Sequence, residues 1–162
     1  MKTPWMEMTL RDFQAALASS SPTPGGGTAA AIALGQASAL AIMVCDLTLG
    51  KDKWKDGWDI ADKTLSESVG IMMRAGALAD EDSDAFDEVM ASFKLPKETE
   101  TEKESRRYAI RQATLGATEK PFETAQLALK LLELLPELAI KGNSNAVSDV
   151  GVAGLLASAA CK

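Results

Sequence analysis

"SPTPGGGTAAAIALGQASALAIMVCDLTLGK", residues 21–51, passes from a Pro/Gly loop into a long uncharged run and stops abruptly at charge. Such a run reads as a membrane span, a phosphate loop or the inner helix of a bundle. Nothing from Gly27 to Cys45 is charged, and a span needs roughly 20 apolar residues. The composition argues otherwise: alanine dominates, Gly, Gln, Ser and Thr recur, and the large apolar residues are only Ile32, Leu34, Leu40, Ile42, Met43 and Val44. A basic flank stands on one side only. Small residues let helix backbones approach closely, so the run is expected to be a helix buried in a bundle or a subunit interface, not in a membrane. The preceding "PGGG" lacks the spacing and Lys-Ser/Thr of a P-loop, and no strand leads into it. Its Gly25, Gly26 and Gly27 would either offer backbone N–H groups to an anion at the helix start or permit close packing against another backbone.

Working outward, Thr9 followed by Asp12 and the set Leu10, Phe13, Ala16 and Leu17 predicts a capped amphipathic helix ending near Ser19, where Pro22 and Pro24 forbid continuation. "GKDKWKDG" separates the uncharged helix from a long one over Trp58 to Phe93. After "KLPKET", Thr99 and Glu102 have capping-box spacing for another helix, with a kink or break expected at Pro121 inside its continuing apolar periodicity. "KGNSNAVSD" is the last punctuation before a small, apolar helix over Val150 to Ala160. No segment alternates with period two, so the chain is expected to be an all-α bundle of about five helices.

The 162 residues fit one domain, and 46% hydrophobic with 25% charged residues suffices for a core. A net charge of -6 with scattered Lys and Arg argues against a nucleic-acid partner. Cys45 and Cys161 are read as free buried thiols, and no CxxC or histidine completes a metal set. "MKTPWMEMTLRDF" carries no apolar signal core, so a cytoplasmic setting is expected. Without histidine, proton transfer falls first to carboxylates.

"ALADEDSDAFDEVMASF" carries six acidic residues. At about 100° per residue, Asp82 shares its face with Ile71, Ala75, Leu78, Ala79, Ala85, Phe86, Val89 and Phe93. Asp80, Asp84 and Asp87 project to the opposite side, and Glu81 and Glu88 to the flank. A carboxyl group on an apolar face must find hydrogen bonds, a cation or a proton. Asp82 is therefore either a structural Asp bonded to a neighbouring helix end or a general acid/base. Asp46, near a helix end, and Ser148 with Asp149, at a helix start, have ordinary structural roles open to them. Lys94 and Lys97, with Arg106 and Arg107, form the densest basic neighbourhood.

In order, "PGGGTAAA", "LTLGK", "DEDSDAF", "KLPKET" with "ESRR", and "GNSNAVSDVGVA" resemble the cyclodeaminase/cyclohydrolase family of folate enzymes, from about Thr9 to Ala160. The resemblance implies a helical homodimer with tetrahydrofolate in a cleft near the interface and no cofactor beyond it. It also implies a further family segment past Lys162, so the single domain over 1–162 is expected to lack that piece. The family's aspartate falls on Asp82, the residue the helical projection also singles out. The implied activity is formimidoyltetrahydrofolate cyclodeamination, which closes 5-formiminotetrahydrofolate to the 5,10-methenyl form with release of ammonia. Alternatives are methenyltetrahydrofolate cyclohydrolase and an inactive folate-binding dimer. Asp82 would move the protons and Lys51 would orient it or polarise the folate. Asp149, beside Ser148, would recognise the pterin edge, Gly25 to Gly27 would admit the substrate, and Lys94 or Lys97 would meet its glutamate tail.

Overall fold

In a computed structural model that describes residues 3–162, every regular element is helical. Five α-helices follow one another: α1 (Leu10–Leu17), α2 (Gly26–Thr48), α3 (Trp58–Ser92), α4 (Glu100–Lys141) and α5 (Val147–Ala160). Short 3-10 turns at Trp5–Glu7, Asp52–Gly57 and Ser144–Ala146 introduce α1, α3 and α5. The expected five-helix reading holds among the described residues.

Local chemistry sets the boundaries. Thr9 accepts from the Asp12 N–H (3.1 Å) to start α1. The capping box forms in full: Thr99 accepts from the Glu102 N–H (3.2 Å), and the Glu102 carboxylate accepts from the Thr99 N–H (2.9 Å). After α2 the chain reverses through Gly50, whose φ of +70° is left-handed and suits a residue without Cβ. The expected interruption of α4 at Pro121 does not take the form of a break: α4 is one helix of 42 residues, with both Pro121 and Pro136 inside it. Both prolines are exposed, so the carbonyls they leave without an amide partner are on the solvent side, while the opposite face stays packed through Thr124, Ala128 and Leu131.

α2 is the hub, packing mainly on α3 and α5 and also on α4. Its start meets the far part of α3, where Thr28 touches Asp82, and its end meets the start of α3, where the Trp58 indole donates to the Thr48 carbonyl (3.2 Å). The two helices are therefore antiparallel. α5 also runs antiparallel to α2, because Asn143, just before it, donates to Thr48 Oγ1 (3.0 Å) while Ala159 and Ala160 share a cavity with Gly26 and Gly27. By length and a mean hydropathy of 1.8, α2 would qualify as a span, yet Ala31, Leu34, Ala37, Ala41, Val44 and Cys45 on its inner face are fully buried in the bundle. Gln36, Ala39, Met43 and Leu47 on its outer face are exposed.

Beyond Ser83, α3 and the first half of α4 leave the bundle as a hairpin arm, and no residue of α4 before Thr124 is buried. At the root of the arm, the Arg74 guanidinium joins α3 to α4. It donates to both oxygens of Glu123 (2.6 and 2.8 Å) and to Glu81, which Lys120 also reaches at 2.9 Å. Arg74, then Lys120, holds the Glu81 carboxyl down at about 2 against the opposing effect of burial. A carboxyl lowered on folding stabilises the protein above its ordinary pKa of 4.5, and that contribution is lost as pH falls towards 2. The side chains are about one-third exposed, so solvent screening limits the contribution to about 1 kcal/mol. Arg74→Met should therefore lower stability to urea at pH 7 by about 1 kcal/mol. Its deficit against the parent protein should shrink as pH falls from 4.5 towards 2; a deficit independent of pH would mean that the cluster is not the source.

Candidate active site

Asp82 lies where α2 begins. Its carboxylate rests on Gly27, so closely that a Cβ at that position would overlap it. Thr28 Oγ1 donates to Asp82 Oδ2 (3.0 Å). Behind this pair, Thr28 Oγ1 lies 2.8 Å from Ser83 Oγ, and Ser83 Oγ accepts from the Trp5 indole N–H (3.0 Å). Trp5 is held edge-on against Phe13 and, with Ala31, Leu78 and Ala79, forms a small apolar cluster that seals the back of the site.

The apolar face read from the helical projection is only partly covered. Ile71, Ala75, Leu78 and Ala79 are buried, but Phe86 and Phe93 are 42% and 51% exposed. α2 starts at Gly26 and does not extend along α3 beyond Ser83, so Asp82 sits half-buried at the mouth of the core instead of inside it. The opposite side of α3 is not idle either. Asp80 accepts from the Trp5 backbone N–H (2.9 Å), and Asp87 accepts from the Thr23 hydroxyl (3.1 Å), which ties the N-terminal turn and the Pro/Gly loop to α3.

Three hollows meet at that loop. One of about 310 Å³ is lined by Thr23, Gly25, Gly26, Gly27, Asp82 and Phe86. A second, of about 370 Å³, lies across Gly26 and Gly27 and is bounded by Pro121, Thr124, Ala159 and Cys161. The third, of about 510 Å³, shares Pro22 with the first and follows α3 past Asp87 and Met90 to Lys94. Asp82, Gly25, Gly26, Gly27 and Lys94 thus line connected surfaces, and Lys97 is exposed in the turn beyond. Asp82 offers a carboxylate able to accept and return a proton, and the glycines beside it carry no side chain to crowd the approach.

Lys51, Ser148 and Asp149 do not join them. Lys51 follows the far end of α2, and Ser148 and Asp149 stand in the first turn of α5 beside that same end. The 23-residue α2, roughly 33 Å at about 1.5 Å per residue, separates them from Asp82, so within one chain Lys51 cannot orient that carboxylate. Nor do Ser148 and Asp149 cap α5, which has no side-chain cap; Asn143 punctuates the segment by accepting from the Asn145 N–H (3.0 Å). Cys45 and Cys161 are free thiols, the former buried and pushed up to about 12 by that burial and by Asp46, which leaves it unreactive. Thr28, Ser83 and Trp5 were not legible as site residues. The available signals were a hydroxyl directly after "GGG" and another beside Asp82; nothing local marked Trp5.

The profile of formiminotransferase-cyclodeaminase matches residues 9–162. A methenyltetrahydrofolate cyclohydrolase of Methylorubrum extorquens is 40% identical over 93% of this chain and 73% of its own length. A formimidoyltransferase-cyclodeaminase of Rattus norvegicus is 32% identical over 91% of this chain but only 27% of its own. The crystal structure of a formiminotetrahydrofolate cyclodeaminase from Thermotoga maritima superposes with a TM-score of 0.82 at 28% identity, over 96% of this chain and 73% of that one. With the profile matched from residue 9 to 162 and a relative 40% identical over 93% of it, the chain belongs to the formiminotransferase-cyclodeaminase family.

Proposed function

We propose that the chain acts on the one-carbon unit of a tetrahydrofolate, as a cyclodeaminase that closes 5-formiminotetrahydrofolate to the 5,10-methenyl form. The observation that carries this reading is the half-buried Asp82 carboxylate, held by Thr28 over Gly27 and lining the hollow of about 310 Å³ beside the Pro/Gly loop. N10 attacks the carbon of the protonated formimino group, whose nitrogen becomes an amine, and gives up its own proton to Asp82. Asp82 then returns that proton to the amine nitrogen, and as the carbon–nitrogen bond breaks the ring nitrogens' electrons close the methenyl bond and ammonia leaves. The scheme needs no metal or redox cofactor. From Asp82 to Lys94 the chain advances about 18 Å at 1.5 Å per residue, on the order of an extended folate, which suits Lys94 or Lys97 to the glutamate tail. The 40% identity to a cyclohydrolase favours a second reading, in which the same carboxylate takes a proton from water adding to the methenyl carbon and returns it to N5 as the carbon–N5 bond breaks, the adduct's hydroxyl proton passing to solvent as the 10-formyl form is released.

The chain is further read as a homodimer. The outer faces of α2 and α5 expose Met43, Leu47, Val152 and Leu155, and α2 carries no charge from Gly26 to Cys45. A two-fold axis that pairs these faces antiparallel would set the partner's Lys51, Ser148 and Asp149 beside Asp82, supplying the groups that the single chain holds at its other end.

Purified protein offered 5-formiminotetrahydrofolate and 5,10-methenyltetrahydrofolate separately should release ammonia from the first, or 10-formyl product from the second under the cyclohydrolase reading. Binding without turnover of either would leave a folate-binding dimer. Asp82→Asn should lower kcat by about 10²-fold or more with the fold intact, and a near-parental rate would remove the assignment. Mixing Asp82→Asn with Lys51→Ala chains should restore about a quarter of the parental activity if sites are shared across the dimer, and none if each chain is self-sufficient. Gly27→Ala should cost about 1–2 kcal/mol in urea denaturation by displacing Asp82, whereas Gly26→Ala, with open space at its Cβ, should be neutral or stabilising.

A further inference from the structure

Trp5, Ser83, Thr28 and Asp82 form a hydrogen-bonded line whose outer link joins residues 78 apart in sequence, with Ser83 and Thr28 fully buried and Trp5 nearly so. The chemistry of its two ends fixes its direction. An indole N–H can only donate, so Ser83 Oγ accepts from it. At the other end an ionised carboxylate can only accept, so the single hydroxyl proton of Thr28 goes to Asp82 Oδ2. The contact between the two hydroxyls must then run from Ser83 to Thr28. Each hydroxyl accepts from behind and donates forward, and no other assignment satisfies all three contacts.

We infer that Thr28, Ser83 and Trp5 are positioning residues for the proposed reaction: a one-way hydrogen-bond line that pins Oδ2 of Asp82 as an acceptor and leaves Oδ1, which the line does not engage, as the oxygen that exchanges protons with substrate. This rests on the reading of Asp82 given above. It differs from ordinary core packing in one respect, because the Trp5 indole reaches Asp82 through the hydroxyls of Ser83 and Thr28. Thr28 and Ser83, having no exposed surface, cannot touch a folate, so their removal should alter kcat and not KM.

The test is a double-mutant cycle on whichever of the two folates the protein converts. Thr28→Val, which keeps the shape, should lower kcat about 10- to 100-fold with KM within about 2-fold, as expected for a misplaced catalytic group. Thr28→Ser should restore most of the rate. Trp5→Phe should lower kcat several-fold alone and add nothing in the Thr28→Val background; losses that multiply, or a change confined to KM, overturn the line. If Thr28→Val does not fold, Ser83→Ala replaces it in the same cycle. A second readout needs no turnover: the Trp5 indole N–H resonance, identified by its loss in Trp5→Phe, should move on Asp82→Asn in the parental protein and stay put on the same change in the Thr28→Val background. Movement in both backgrounds overturns the inference. An unimpaired Asp82→Asn enzyme would instead defeat the proposed function, while the resonance still decides whether the line exists.

Discussion

The close approach of α2 to α3 at Gly27 is the constraint on which the site depends. With no Cβ there, the first turn of α2 settles directly against the Asp82 carboxylate, and Thr28 one residue later reaches it with a hydroxyl. A methyl group at that position would push the helices apart or the carboxylate away. The same small-residue logic continues along α2, where Ala31, Ala37 and Ala41 are buried without a trace of exposure. It recurs at the far end, where Gly57 lies against the Lys141 carbonyl and Gly142 against that of Leu138. Narrow contacts made by small side chains hold the elements in register and make the geometry at Asp82 intolerant of added bulk.

Polar groups inside this frame are arranged by how directly they are tied to backbone. Ser38 turns its hydroxyl back to a carbonyl four residues earlier on the same helix, which satisfies it without a partner helix. Thr28 and Ser83 instead bond between helices and to Trp5. That difference separates hydroxyls that merely fit an apolar interior from hydroxyls that transmit position from the N-terminal turn to the carboxylate.

Much of the fold was legible in the sequence because its signals are local. Thr9 and the Thr99–Glu102 pair stand where their bonds form, and the long α3 starts at Trp58 as its periodicity requires. Asp82 was legible as a singular residue because helical projection needs only residues of one helix. Its degree of burial was not, since that depends on where α2 begins beside α3, a fact about two segments more than 50 residues apart. The break allowed for at Pro121 does not occur for a related reason: proline's local penalty is real, but packing through Thr124 and the Arg74–Glu123 pair holds the helix through it. Lys51 and Asp149 were drawn to Asp82 by resemblance, and only the length of α2 reveals that one chain cannot bring them there.

The hairpin arm beyond Ser83 carries few buried contacts, since α4 contributes none before Thr124 and the tip is fastened chiefly by Arg106, whose guanidinium donates to the Phe93 carbonyl and lies 5.5 Å over its ring. Stability in such a molecule is graded: the arm opens at a lower free energy than the core around α2. Lys94 belongs to the arm and Asp82 to the core, so any ligand long enough to touch both spans two regions of unequal cohesion. Its occupancy and the closing of the arm are then linked equilibria, each strengthening the other by the same amount.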